Sequence, residues 1–244
     1  MPNKRIQLFI LPYAGGSTAA FKKLTDLIDP SVDVVTVEYA GRGTRAKEPL
    51  ATSIWSLLED AIVYCRYRRR QDIPYAVMGY SMGSVLAYEI LKREAIAGEL
   101  KHLFIAAEVS PRDRCLELRK VKNPTEERIL DRARRLGGLD DRMLQNKRFT
   151  DIYIKPMLSD YRLFFEYEFA EGKGKVGEDK IRTDTTFFYC EKDTALTDVQ
   201  RWEELLDGEY DYHELGENHF FLNQHYVEMA QVINHHLQEA PSDN

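Results

Sequence analysis

Three residues, far apart in the chain, have the side-chain types needed for nucleophilic acyl transfer: Ser81, Asp193 and His219, in that order. Ser81 is the centre of Gly79-Tyr80-Ser81-Met82-Gly83. This stretch follows the apolar run Tyr75-Ala76-Val77-Met78 and leads into Val85-Leu86-Ala87-Tyr88-Glu89-Ile90-Leu91. Strand, sharp turn and helix form the setting in which a serine hydroxyl is pushed out above a sheet edge with the first helical amides beneath it. Both glycines read as steric necessities, because side chains two residues either side of the serine would collide where strand and helix approach. A bare G-x-S-x-G can also be a glycine-rich connection with a capping serine; the flanking strand and helix favour a nucleophile elbow.

A serine hydroxyl is a weak nucleophile at neutral pH, so it needs a base, and the base needs a partner that fixes its tautomer. Of six histidines, His102 begins a strand, His213 lies within an alternating strand, and His225, His235 and His236 fall on or at the end of the last helix. His219 alone occupies a loop that follows a strand, and it is the expected base. Asp193, just after the strand Thr185-Thr186-Phe187-Phe188-Tyr189-Cys190, is the expected orienting acid. Asp198 is the substitute, although its place before Val199 and Trp202 suits a helix N-cap. Serine, acid, histidine is the chain order of α/β-hydrolases. The oxyanion of an acyl-transfer intermediate needs two donors. Met82 N–H, at the helix start, is one; the other is expected from the loop after the first strand, with Tyr13 first choice and Ala14 in reserve.

The elements that must hold these loops together are legible as alternating runs. Ile6 to Leu11, Val32-Asp33-Val34-Val35-Thr36-Val37, the elbow strand and His102-Leu103-Phe104-Ile105-Ala106-Ala107 read as buried strands. Between them Ala20-Phe21-Leu24-Leu27-Ile28, Ile54-Leu57-Leu58-Ala61-Ile62 and the elbow helix have helical spacing. Such alternation predicts an α/β fold with a mostly parallel sheet covered by helices on both faces. Residues 108–177 are charged and helical in spacing (Ile129-Ala133-Leu136), and they read as an inserted helical lid. Residues 1–107 and 178–244 form the core, resuming with Thr185–Tyr189, a helix over Val199-Trp202-Leu205-Leu206, and the alternating Tyr210-Asp211-Tyr212-His213-Glu214-Leu215. In the insertion, Arg132-Arg134-Arg135 reads as a solvated helix face and Tyr153, Tyr161, Phe164, Phe165, Tyr167 and Phe169 as core. The polar tail, residues 239–244, is expected to fray.

At 244 residues and 43% hydrophobic content the chain suffices for one sizeable domain. A net charge of −6 lacks the basic footprint of a nucleic-acid or anionic-membrane partner. Three widely spaced cysteines, Cys65, Cys115 and Cys190, suit a reducing cytoplasm better than a disulfide framework or a zinc site. The histidines lack metal-ligand spacing along the chain and Gly15-Gly16 is no dinucleotide fingerprint, so neither metal nor bound cofactor is expected. No apolar window is long enough for a signal segment or a membrane span. Monomer is the default state.

Taken together, LPYAGGS, AGRGTR, GYSMGS, LGGLD, MLSDYRLFFEYEF, CEKDTALTDVQRW and GENHFFLN resemble, nearly end to end, the type II thioesterases of nonribosomal peptide and polyketide (antibiotic) assembly lines. The resemblance implies an α/β-hydrolase fold with a small helical lid. It implies hydrolysis of acyl groups from the phosphopantetheine arm of acyl or peptidyl carrier proteins, with Ser81 as nucleophile, His219 as base and then acid, and Asp193 as its orienter. Alternatives are a general carboxylesterase or acyl-CoA thioesterase, or a thioesterase that releases finished product. Tyr80, where the family usually has histidine, and Ser84, where a third glycine is common, are expected to reshape the pocket rim. Ala40 and Asp140 stand where prolines are usual, and Cys190 where glycine is common.

Overall fold

The computed structural model describes residues 4–121, 124–139, 141–170 and 180–238. The expectations for the tail at 239–244, for Asp140 and for the insertion boundary at 177 and 178 lie outside the described residues. Among the described residues, six strands form one parallel sheet in the order β2-β1-β3-β4-β6-β8. They are β1 (Ile6–Leu11), β2 (Val32–Thr36), β3 (Tyr75–Tyr80), β4 (Leu100–Ala106), β6 (Thr185–Tyr189) and β8 (Tyr210–Glu214); β5 (Ile181–Arg182) and β7 (Leu206–Asp207) pair separately.

Why the central strands are apolar throughout follows from their two covered faces. Ile6, Leu8 and Ile10 of β1, Ala76, Met78 and Tyr80 of β3, and Phe104 and Ala106 of β4 point to one side. There they meet α1 (Lys22–Thr25) and the long C-terminal helix, residues Leu222–Gln238. The intervening residues Phe9, Leu11, Val77, Leu103 and Ile105 point to the other side. That face carries α2 (Ile54–Arg68) and α3 (Met82–Lys92). Ile54, Leu57, Leu58, Ala61 and Ile62 of α2 are all buried, as their spacing predicts, and Ser53 caps the helix in a capping box with Ser56.

Between β4 and β5 stand α4 (Pro111–Arg119), α5 (Glu126–Arg135), α6 (Asp141–Gln145), α7 (Lys147–Phe149) and α8 (Lys155–Phe165), with a π-turn at Thr150–Ile154. Ile129, Ala133, Leu139, Ile154 and Leu158 make a small core of their own, whereas Leu163, Phe164 and Tyr167 join the main core. This helical segment is thus partly self-packed and partly rooted in the sheet layer. Of its aromatic residues, Tyr153 is exposed rather than core.

Two segments differ from their sequence reading. The first helical stretch is a 3-10 turn, Thr18–Phe21, followed by the single-turn α1; Phe21, Leu24 and Ile28 are buried against the sheet, with Ala20 packed beside them, whereas Leu27 is exposed. The helix expected over Val199 to Leu206 is α9 (Leu196–Val199), a 3-10 turn (Gln200–Glu204) and then β7. Trp202 turns fully inward there and its indole N–H donates to Glu108 O at 3.0 Å. The long helix Leu222–Gln238 is α10.

Candidate active site

Parallel strands present their carboxyl ends on one edge of the sheet, and all three expected catalytic residues lie just beyond such ends. Ser81 follows β3 and occupies the N-cap position of α3 with φ 53° and ψ −123°. A non-glycine residue there carries strain of about 1–3 kcal/mol, held in place by its surroundings. The Ser81 N–H donates to Ala106 O at 2.8 Å and the Ser84 N–H to Ser81 O at 2.7 Å, tying the turn to β4 and to the helix start. A Cβ on Gly79 would overlap the Ser84 backbone, and one on Gly83 would overlap the carbonyls of Leu11 and Pro12. The glycines therefore permit close approach of helix to strand on one side and of helix to the β1 loop on the other.

Asp193 and His219 meet directly: Nδ1 of His219 and Oδ2 of Asp193 are 2.6 Å apart. Both side chains are nearly buried. Burial pushes the Asp193 carboxyl up, but the hydrogen bond and charge of His219, the Thr194 hydroxyl and Arg114 outweigh it and hold the carboxyl below its ordinary value. The acid loop is a tight turn in which Cys190 O accepts from the N–H groups of Asp193 and Thr194, at 2.9 and 2.8 Å. Cys190 itself is buried, with Sγ 3.5 Å from Gly216 O. Asp198 does not cap α9: the cap position is Ala195, and the Leu196 N–H donates to the Glu191 carboxylate at 2.9 Å. Asp198 instead lines a cleft of about 400 Å³ beside the acid and base, together with Val109, Leu136, Thr194, Asp193 and His219. Ser81 is not among the residues that line it.

The Ser81 turn is joined to the His219 loop by Tyr80. Its position in β3 sends the ring inward, fully buried, among Tyr13, Phe21, Phe221 and His219. Its hydroxyl donates to His219 O at 2.6 Å and accepts from the Leu222 N–H at 3.4 Å. Burial raises the phenol well above its ordinary value, so it keeps the proton it donates. The expectation that Tyr80 and Ser84 reshape the pocket rim is corrected: strand alternation directs Tyr80 into the core, and Ser84 is buried on α3 with Oγ 3.2 Å from Ala106 O. Replacing Tyr80 with Phe leaves the packing but strips the His219 carbonyl of a buried donor, a loss of about 1–3 kcal/mol. We expect the Y80F variant to lower kcat by about tenfold with KM little changed, because the base rather than the substrate is displaced, as steady-state kinetics will show.

The loop after β1 is pinned by residues that spacing did not reveal. Gly15 N–H donates to Oδ2 of Asp160 at 2.7 Å, and Gly16 N–H to Tyr13 O at 2.8 Å. With those two amides engaged, the loop's candidate oxyanion donors are Tyr13 and Ala14; the other candidate, Met82 N–H, is the first amide of α3 and needs no intrahelical acceptor. Asp160, on α8, also forms a buried bidentate pair with Arg42, its Oδ1 lying 2.8 Å from Nη2. Losing either partner of such a pair costs on the order of 3–5 kcal/mol. The same helical segment also touches the His219 loop: Gly137, at φ 82°, and Gly138 turn the chain after α5 so closely over Asn218 and Phe220 that a Cβ on Gly138 would overlap the Phe220 ring. Resemblance alone flagged these glycines and the Asp160 segment; what they contact was not legible.

The model of the thioesterase domain family matches residues 6–237. The chain is 28% identical over 224 residues to the medium-chain S-acyl fatty acid synthase thioesterase of Rattus norvegicus, covering 91% of this chain and 83% of that protein. It is 26% identical to thioesterase PikA5 of Streptomyces venezuelae, covering 97% and 82%. Among solved structures, the type II thioesterase BorB from the borrelidin biosynthetic cluster superposes with a TM-score of 0.78 at 25% identity, covering 97% of this chain and 95% of that one. The parallel sheet covered on both faces, the strained serine turn and the near-complete family match together establish that this chain belongs to the thioesterase domain family.

Proposed function

We propose that the protein is a stand-alone editing thioesterase, which hydrolyses acyl or aminoacyl thioesters from the phosphopantetheine arm of carrier proteins in a nonribosomal peptide or polyketide pathway. The observation that carries this reading is the 2.6 Å Asp193–His219 contact, linked through Tyr80 to the strained Ser81 turn within a thioesterase-family chain. Ser81 Oγ attacks the thioester carbonyl while His219 Nε2 takes its proton and Asp193 steadies the imidazolium. The oxyanion is held by the N–H groups of Met82 and Tyr13. Collapse expels the pantetheine thiol, protonated by His219, and leaves the acyl group on Ser81. Water activated by His219 then frees the acid and the serine.

Thioester hydrolases of this fold generally need no cofactor, and here the phosphopantetheine belongs to the partner. The helices of residues 108–177 serve as the lid over this site; their contacts with Gly15, Arg42, Asn218 and Phe220 support that role. Among the described residues no helix is long and apolar enough to cross a membrane. The three free, buried cysteines suit a reducing cytoplasm, and monomer is the default state. BorB, a named type II thioesterase of a biosynthetic cluster, supports the assignment to such a pathway; the rat relative, named as a fatty acid synthase thioesterase, motivates product release as the second reading.

One comparison of rates distinguishes these readings. Acetyl- and aminoacyl-carrier proteins are expected to turn over faster than a carrier loaded with a full-length chain, and faster than acyl-CoA or nitrophenyl esters. Preference for the full-length chain would make the protein a product-releasing enzyme. Preference for the free small substrates would make it a general esterase.

A further inference from the structure

Along the chain the histidines show no ligand spacing, yet folding brings three ligand-bearing residues together at a place the proposed hydrolysis does not use. Asp211 and His213 sit two apart on β8, so their side chains share one face of that edge strand. His236, near the end of α10, reaches the same spot, and the three potential ligand atoms all lie within 4.8 Å of one another. Both imidazoles converge on one carboxylate oxygen: Asp211 Oδ2 is 2.7 Å from His213 Nε2 and 3.2 Å from His236 Nε2.

We infer that Asp211, His213 and His236 form a structural site for a divalent cation of the Zn²⁺ class, clipping the edge strand to the C-terminal helix. The donor set, two imidazoles and a carboxylate, is one that such borderline ions accept, with water free to complete the tetrahedron. Ligands about 2.0–2.1 Å from a tetrahedral ion stand roughly 3.4 Å apart, so the two Asp211–imidazole separations need only modest widening. The rings are held for the task. His236 stacks on His102 with centroids 4.4 Å apart, His102 is itself fixed by Thr186 Oγ1 at 2.8 Å, and His213 lies 5.7 Å from the Phe188 ring. Partial exposure of all three ligands leaves the ion a way in and room for water. In each imidazole the ion takes the Nε2 position now directed at Asp211, and the ring proton resides on Nδ1.

The site lies along β8 itself, where Asp211 pairs with Thr186 and His213 with Phe188, whereas Asp193 and His219 lie beyond the carboxyl ends of the strands. Its role is therefore to hold α10 against the sheet, and it stands independently of the proposed hydrolysis. Calorimetric titration of the chelator-treated full chain with Zn²⁺ alone tests it. Stoichiometric binding and a rise in melting temperature are expected for the wild-type chain. D211N and H236Q are each expected to weaken binding by more than the ~10- to 100-fold that losing an outer partner of a metal ligand costs. H213Q, half-exposed and conservative, supplies a third variant if either of the others folds poorly. H225Q, on the same helix but outside the cluster, is expected to bind as wild type. Failure of the wild-type chain to bind Zn²⁺ stoichiometrically, or wild-type affinity in D211N and H236Q, would overturn the assignment.

Discussion

Replacing Ser81 with Ala is expected to lower hydrolysis of an acyl-carrier thioester by about 10⁶-fold, leaving only what the oxyanion donors and substrate positioning supply. The size of the loss follows from the mechanism: without Oγ no acyl-enzyme forms, and the Asp193–His219 pair has nothing to deprotonate in the first step. Alanine is as strained as serine at φ 53°, and Gly79 and Gly83 still admit the helix, so the variant keeps its fold. Circular dichroism and melting temperature check that point. Single-turnover assays on a loaded carrier domain measure the rate, and a fluorophosphonate probe reports labelling of Ser81 directly. Turnover retained in a folded Ser81→Ala protein would sink the proposed function.

The second large effect concerns the acid. Asp193→Asn is expected to reduce kcat by about 10⁴-fold with near-normal folding. The carboxylate accepts a hydrogen bond from His219 Nδ1 at 2.6 Å, which leaves Nε2 free to take the serine proton. An asparagine amide can turn its NH2 toward Nδ1, which stabilises the tautomer protonated at Nε2, the wrong one for a base. It also removes the negative charge that stabilises the imidazolium. Because Asp193 is held below the ordinary carboxylate range, it stays ionised in the wild-type enzyme through mildly acid pH. The favourable contribution of this contact is present above the unfolded carboxylate's pKa and is lost only as pH falls through the depressed value. A kcat loss that vanished at neutral pH, or an Asp193→Asn enzyme as active as wild type, would show that the acid acts elsewhere.

Tyr80→Phe completes this set. Its hydroxyl does not face the cleft, so its effect should appear in kcat and not in substrate affinity.

The expected strands were legible because strands buried on both faces read as continuous apolar runs, and the alternate residues of β1, β3 and β4 divide cleanly between two cores. The strand, turn and helix around Ser81 were legible for a local reason: its two glycines answer clashes with Ser84 and with Leu11 and Pro12. Short-range periodicity failed where a helix was too brief to establish a period, as at α1, or where the chain passed from α9 through a 3-10 turn into β7. Asp198 looked like a cap because aspartate often is one; the backbone entered the helix three residues earlier, at Ala195.

By itself, the sequence determined the α/β alternation, the sharp turn at Ser81, and the chain order of Ser81, Asp193 and His219. All of these are written in neighbouring residues or in linear order. Only the tertiary structure decided which distant groups meet. Tyr80 supports the His219 loop across 139 positions, and Asp160 reaches Gly15 across 145. Gly137 and Gly138 lie over Asn218 and Phe220, and His236 joins Asp211 and His213. Alternation along a strand specifies which face a side chain takes. Which partner awaits it there depends on sheet order and helix packing, and these are settled by burial summed over the whole chain.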